Sequence, residues 1–123
     1  MGKFIIRKTD NNNFLFFLKA SNMQTVCQSG VYTSLSSCKN GIESIRKNCG
    51  SSIEDQTLQK FEPIKNPKYE IYLDKAGEYR FRLKASNGEN ILSSQGYTTK
   101  AACKNGIESI KKNAPDATVE NEE

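Results

Sequence analysis

The sequence predicts an α+β fold in which two copies of a strand, strand, strand, helix unit share one sheet, with both helices packed on the same face. Three observations carry this. First, Phe14-Leu-Phe-Phe-Leu-Lys-Ala-Ser-Asn22 aligns without a gap on Tyr79-Arg-Phe-Arg-Leu-Lys-Ala-Ser-Asn87, and Cys38-Lys-Asn-Gly-Ile-Glu-Ser-Ile45 on Cys103-Lys-Asn-Gly-Ile-Glu-Ser-Ile110. From Phe4 to Cys49 against Tyr69 to Ala114 about 20 of 46 positions are identical, so the unit is duplicated. Second, Tyr79, Phe81, Leu83 and Ala85 alternate with Arg80, Arg82 and Lys84, the period of a strand with one buried and one wet face. Third, Leu35, Cys38, Ile42, Ile45 and Cys49, like Cys103, Ile107, Ile110 and Ala114, follow a three-four spacing that puts one apolar stripe on each helix.

Each element follows in order. A short apolar strand, Phe4 to Lys8 or Tyr69 to Leu73, leads through a polar turn, Asp10 to Asn13 or Lys75 to Glu78, into the longer alternating strand. Asn87-Gly88 then signals a two-residue type I′ hairpin, which needs positive φ at both positions, before a third strand, Asn90 to Ser93. Repeat one carries Met23 in place of Gly88, so a different or longer turn is expected there. The helices start at Ser34 and Thr99, whose side-chain oxygens can cap free amides, and close at Asn48 and Asn113 after basic last turns. Ile53 in one copy and Thr118-Val119 in the other could each add a fourth strand. The chain is thus read as one domain with repeat one over 3–57, a connector over 58–67 and repeat two over 68–123. A core of Phe16, Leu18, Phe81, Leu83, Ile42, Ile45, Ile107 and Ile110 is expected to be shared.

Composition narrows the function. A net charge of +4 with acidic residues gathered at the C-terminal end is too mild to diagnose nucleic-acid binding. With no histidine, the usual neutral-pH base, the Ser-His and Cys-His pairs and the commonest metal ligand are all missing. The cysteines, Cys27, Cys38, Cys49 and Cys103, form no Cys-x-x-Cys pair and are expected to be buried free thiols without metal. No apolar run spans a bilayer and no secretory signal is visible, so a cytoplasmic protein without membrane contact is expected.

The helix motif Cys-Lys-Asn-Gly-Ile-Glu-Ser-Ile, preceded by Leu-Lys-Ala-Ser-Asn-Gly and Gly96-Tyr-Thr, resembles the bacterial YegP-like family, also called DUF1508 or UPF0339. The resemblance covers both repeats. It implies tandem β-β-β-α-β units in a single antiparallel sheet, with their last strands exchanged and both helices on one face, and it implies no activity.

Several residues invite a functional reading. Asn40-Gly41 and Asn105-Gly106 sit in mid-helix, where glycine costs about 1 kcal/mol against alanine. Either the glycines let the two helices approach at the pseudo-twofold, or the asparagines form a polar ligand site between them. Tyr32 and Tyr97 either clamp a ligand or pack their rings over the helix start. On the outer sheet face repeat one presents Ile5, Leu15 and Phe17, whereas repeat two presents Glu70, Tyr72, Arg80, Arg82 and Lys84. An apolar stripe beside a cationic one is expected to be a contact surface, unless the connector or a second molecule covers it. No catalytic residues and no cofactor are assigned. The expectation is a small non-enzymatic binding or interaction module using the open sheet face, monomeric with an internal pseudo-twofold, or dimeric. The sequence names no partner, and a protein or small ligand is expected ahead of nucleic acid; weak single-stranded nucleic-acid binding is the alternative function and an enzyme the third.

Overall fold

A computed structural model describes residues 2–22 and 24–121. The order is β1 (Lys3–Lys8), β2 (Phe14–Lys19), β3 (Thr25–Gln28), α1 (Leu35–Asn48), β4 (Ile53–Asp55), β5 (Lys68–Leu73), β6 (Tyr79–Lys84), β7 (Asn90–Ser93), α2 (Lys100–Asn113) and β8 (Thr118–Asn121). All strands join one eight-stranded sheet, ordered β4-β5-β6-β7-β3-β2-β1-β8. The last strand of each repeat has crossed to the other: β4 lies on β5 with Ile53 opposite Tyr69, and β8 on β1 with Val119 opposite Phe4. The exchange implied by the family resemblance is present. The sheet, however, is mixed. Its six inner strands are antiparallel, but β4 and β8 pair in parallel, because a helix crossover does not impose the reversal that a hairpin does. At the centre the repeats meet through β3 and β7 alone, with Gln28 opposite Ser93.

The hairpin at Asn87-Gly88 is not the type I′ turn expected. Ala85 donates its N–H to Glu89 O at 2.9 Å, Gly88 donates to Ala85 O at 2.9 Å, and of the two central residues only Gly88 has positive φ, at 85°. This is a four-residue turn closed by a left-handed residue, which places the bulge seen between Leu83 and Lys84. Asp74 to Glu78, with Gly77 at φ 83°, and Thr9 to Asn13, with Asn12 at φ 61°, repeat the pattern. In repeat one the Ala20 N–H reaches Gln24 O at 2.9 Å, so that turn spans the same length; Met23 itself lies outside the described residues.

Each helix starts as expected. Ser34 Oγ accepts the Ser37 N–H at 3.1 Å and Thr99 Oγ1 accepts that of Ala102 at 3.1 Å. α1 lies over β2 and β7, α2 over β6 and β3, so each helix seals the seam between repeats. The predicted core residues are all at most 1% exposed and belong to one cluster. Burying each such side chain contributes about 1.5–3 kcal/mol. Phe16 meets Phe4 edge-on at 5.8 Å, and Phe81 meets Tyr69 likewise at 6.2 Å. The four cysteines are buried and not disulfide-bonded. No described helix is long and apolar enough to cross a membrane.

The mid-helix glycines are close contacts, but their neighbour is not the other helix. A Cβ at Gly41 would strike the Tyr32 hydroxyl and come within 3.2 Å of Phe16; at Gly106 it would meet Phe81 at 3.0 Å and Tyr97 Cζ at 3.1 Å. Tyr32 stacks on Phe16 at 6.0 Å and Tyr97 on Phe81 at 6.3 Å, both inclined by 15°. Each glycine therefore admits the tyrosine of its own repeat beneath the helix.

Contacts between repeats pin the exchanged strands. Tyr69 Oη donates to Cys49 O at 2.7 Å, Arg46 Nη2 donates to Ala117 O at 2.7 Å, and Lys100 pairs with Asp55 at 3.0 Å.

Candidate functional site

The sheet face opposite the helices carries the six residues singled out for binding, and register brings them into two groups. In repeat one, Ile5 stands opposite Phe17 and Arg7 opposite Leu15. Phe17 is only 7% exposed and Ile5 only 6%. The Arg7 guanidinium lies 4.8 Å from the Phe17 ring centre and the Lys19 ammonium 5.6 Å, so cationic stems cover the ring from both sides. Leu15 is half-buried. The open apolar stripe expected here is roofed by its own strand neighbours.

In repeat two, Glu70 stands opposite Arg82 and Tyr72 opposite Arg80. Arg82 Nε pairs with Glu70 at 2.6 Å while its guanidinium lies 4.3 Å from the Tyr72 ring centre. Arg80 Nε pairs with Asp74 at 2.6 Å and a second guanidinium nitrogen donates to Ser94 O at 3.3 Å. Lys84 adds charge beside Glu70 and helps hold that carboxyl below its usual range.

Sequence reasoning missed the acid at the centre of this layer. Glu54, on exchanged strand β4, is 3% exposed. It accepts from Gln56 at 2.7 Å, from the Ile64 N–H at 2.8 Å and from Lys68 at 2.6 Å, and Lys68 also pairs with Glu70 at 3.1 Å. Burial alone would raise the Glu54 pKa; those hydrogen bonds and the Lys68 charge overcome it and bring it to about 2. Ile64 ties the connector over this edge of the face. Only the fold reveals the grouping, since Glu54 of repeat one meets Lys68 and Glu70 of repeat two through the exchanged strand.

The groups whose pKa is displaced are driven away from neutrality in both directions. Asp55 and Glu70 would be raised by burial, but hydrogen bonds and cations lower both; Asp74 is lowered chiefly by Arg80. Burial pushes the Cys27 thiol up to about 12 and those of Cys38 and Cys103 to about 11, and raises the Tyr32 and Tyr97 phenols. Asn40 and Asn105 are exposed and line two separate clefts, not one shared site between the helices. Tyr32 and Tyr97 pack as helix supports, half-buried under Gly41 and Gly106.

A two-repeat sheet with exchanged edge strands and helices on one face defines a structural class, and known proteins share it. The profile of the family described as "Domain of unknown function (DUF1508)" matches residues 10–55 and 74–121. The chain belongs to this family. It is 36% identical over 121 residues to the UPF0339 protein YegP of Escherichia coli, covering 96% of this chain and 94% of that one. A UPF0339 protein in the ptx operon 5′ region of Stutzerimonas stutzeri is 69% identical over 48 residues, 39% of this chain and 43% of that relative. The solution structure of YegP, a protein of unknown function, matches with a TM-score of 0.80 over 98% of this chain and 92% of its own. That of a UPF0339 protein from Shewanella oneidensis, 32% identical, matches at 0.79 over 98% and 90%.

Proposed function

We propose that the protein is a non-enzymatic binding module. The observation that supports this reading most is the titration pattern: the shifted carboxyls are held ionised by bonded partners and the shifted thiols and phenols are held protonated by burial. A general base or acid works best with its pKa near the operating pH, and these groups are pushed the other way. They serve the fold.

The sheet face centred on Tyr72, with Arg80, Arg82 and Lys84 beside it and half-buried Leu15 across the seam, is the surface this reading offers to a protein or small ligand, while Phe17 lies covered by Arg7 and Lys19. Nucleic acid is favoured less, because Arg80 and Arg82 already pair with Asp74 and Glu70, so a phosphate would have to displace a carboxylate from each. The test is a panel of metabolites and a short oligothymidylate incubated with the labelled protein, followed by mass spectrometry for turnover and by amide chemical shifts for binding. Shifts without turnover are expected. Consumption of any compound by catalytic amounts of protein overturns the reading.

A further inference from the structure

We propose that the protein carries two equivalent ligand sites, each a polar cleft between the helix of one repeat and a hairpin of the other, suited to a small neutral ligand bearing several hydroxyl and amide groups. The proposal rests on the reading of the chain as a binding module and adds small-ligand sites beside the helices, separate from the sheet face centred on Tyr72.

One cleft, about 390 Å³, is lined by Asn40, Ser44 and Asn48 of α1 with Ser86 and Asn87 of the turn after β6. The other, about 340 Å³, is lined by Asn105, Ser109 and Asn113 of α2 with Ser21 and Asn22 of the turn after β2. These are the same residues of the aligned repeats. The remaining wall matches as well, with Glu43, Lys47 and Ala85 in one and Glu108, Lys112 and Ala20 in the other. General similarity of the copies does not explain this, since residues 7–15 share nothing with 72–80, and 34–37 nothing with 99–102.

Elsewhere several identities have structural work, although the exposed pairs Lys39 and Lys104, and Thr33 and Thr98, are also repeated without side-chain partners among the described residues. Tyr32 and Tyr97 need Gly41 and Gly106, and Ser29 and Ser94 accept the Phe16 and Phe81 amides at 2.9 Å. Within the clefts, Asn22 and Asn87 accept the Gln24 and Glu89 amides at 3.1 and 3.0 Å, while Asn48 and Asn113 donate to the Ser44 and Ser109 carbonyls, both at 2.8 Å. Asn40, Lys47 and Ser86, with their counterparts Asn105, Lys112 and Ser21, do nothing of the kind. All six are exposed, and their side chains have no hydrogen bond or ion pair among the described residues. Folding does not require their identity, and they come from opposite repeats that meet only in the assembled sheet.

Their chemistry selects the ligand. Asn87 has its oxygen engaged and its NH₂ free, Asn40 offers a whole amide, and Ser86 a hydroxyl, so donors and acceptors are mixed. The acid of each cleft is already neutralised by a neighbour on its own helix, Glu43 by Arg46 at 3.3 Å and Glu108 by Lys111 at 3.9 Å, while Lys47 and Lys112 stand exposed at the rims. The clefts flank the C-terminal halves of the helices, where the backbone dipole disfavours an anion. A neutral acylated sugar, with hydroxyls and an amide, matches these groups, and the volumes lie at the small end of the ligand-pocket range of about 300–1,000 Å³.

The test is titration of the ¹⁵N-labelled full chain with di-N-acetylchitobiose to millimolar concentration, with sodium phosphate as the anionic comparison. The expected result is that amide signals of Asn22, Asn40, Asn87 and Asn105 move together, with two ligands bound per chain, while phosphate leaves them in place. Asn40→Ala with Ser86→Ala should remove one site and leave the other with unchanged affinity; Asn105→Ala with Ser21→Ala should do the converse. Because all four positions are exposed, unchanged signals elsewhere establish that the variants fold. The proposal is overturned if chitobiose moves no cleft signal, if both variants still bind two, or if phosphate moves the same signals more strongly. Shifts confined to Tyr72 and Arg82 would remove the clefts and keep the binding-module reading, whereas turnover in the metabolite panel would remove that reading itself.

Discussion

Replacing Gly106 with alanine sets two known effects against each other. Helix propensity favours alanine by about 1 kcal/mol. Against it, the new Cβ would lie 3.0 Å from Phe81 Cε2 and 3.1 Å from Tyr97 Cζ, with the Tyr97 hydroxyl nearer still at 2.5 Å. Tyr97 is half-buried and can swing outward, but Phe81 is 0% exposed and wedged between Tyr69 and Tyr97, so it cannot retreat. Overpacking of this kind costs about 1–3 kcal/mol, which leaves a net loss of about 1 kcal/mol after the propensity gain. For a chain of this size that is a fall in Tm of roughly 3–6 °C. Urea denaturation of wild type, Gly106→Ala, Tyr97→Phe and the double variant measures it. Removing the hydroxyl should recover part of the loss in the double variant while costing little alone, a coupling that a propensity effect cannot produce. Asn105→Ala, exposed one residue away, is the control and should be neutral or stabilising. If Gly106→Ala raises the Tm, or if Tyr97→Phe recovers nothing, the tyrosine-under-glycine account is wrong.

Other outcomes follow from the same contacts. Lys68→Met leaves Glu54 and Glu70 buried without their shared cation and should cost about 3 kcal/mol at neutral pH by urea denaturation, less at pH 3 where the carboxyls are closer to protonation. Since Glu54, Asp55, Glu70 and Asp74 all have folded pKa values below their ordinary ones, their contribution is complete above the unfolded carboxyl pKa and is lost as pH falls through the folded values, toward about 2 for Glu54; an acid titration by circular dichroism should show stability declining over that window. A thiol reagent should react slowly with the native protein and with all four cysteines after unfolding, because burial both shields the thiols and raises their pKa. The fragment 2–57, lacking a β5 to receive its β4, should run as a strand-exchanged dimer by size-exclusion chromatography and light scattering; a folded monomer would show that β4 has another place to go.

Local periodicity made the repeats, both helices with their caps, and the core legible, because those features depend on residues close in sequence. Phe17 shows where that reach ends. Its alternation correctly places it on the outer face, but its cover comes from Arg7 across the β1–β2 register and Lys19 two residues on, which composition does not disclose. Asn87-Gly88 reads as a two-residue hairpin by dipeptide statistics, whereas the bulge belongs to the pairing of whole strands. The glycine pairs read as close contacts from their mid-helix placement, yet the neighbour is Tyr32 or Tyr97 from nine residues upstream and not the second helix. Residue identity between repeats at exposed positions was available as a signal for the clefts. It lacked meaning until the exchange brought each helix against the opposite hairpin.

The placement of β8 on β1 has a mechanical consequence. The two strands run parallel from Lys3 beside Thr118 to Ile6 beside Asn121. A force drawing residue 3 and residue 121 apart therefore slides the strands along one another instead of peeling them. In that geometry the ladder bonds share the load and must yield nearly together, and the Lys3–Glu120 ion pair at 3.0 Å lies across the same seam. Pulling instead from the hairpin at Thr9 to Asn13 would open the β1–β2 pairs one after another. The sheet should thus resist tension directionally, stiff along its edge and compliant at its turns.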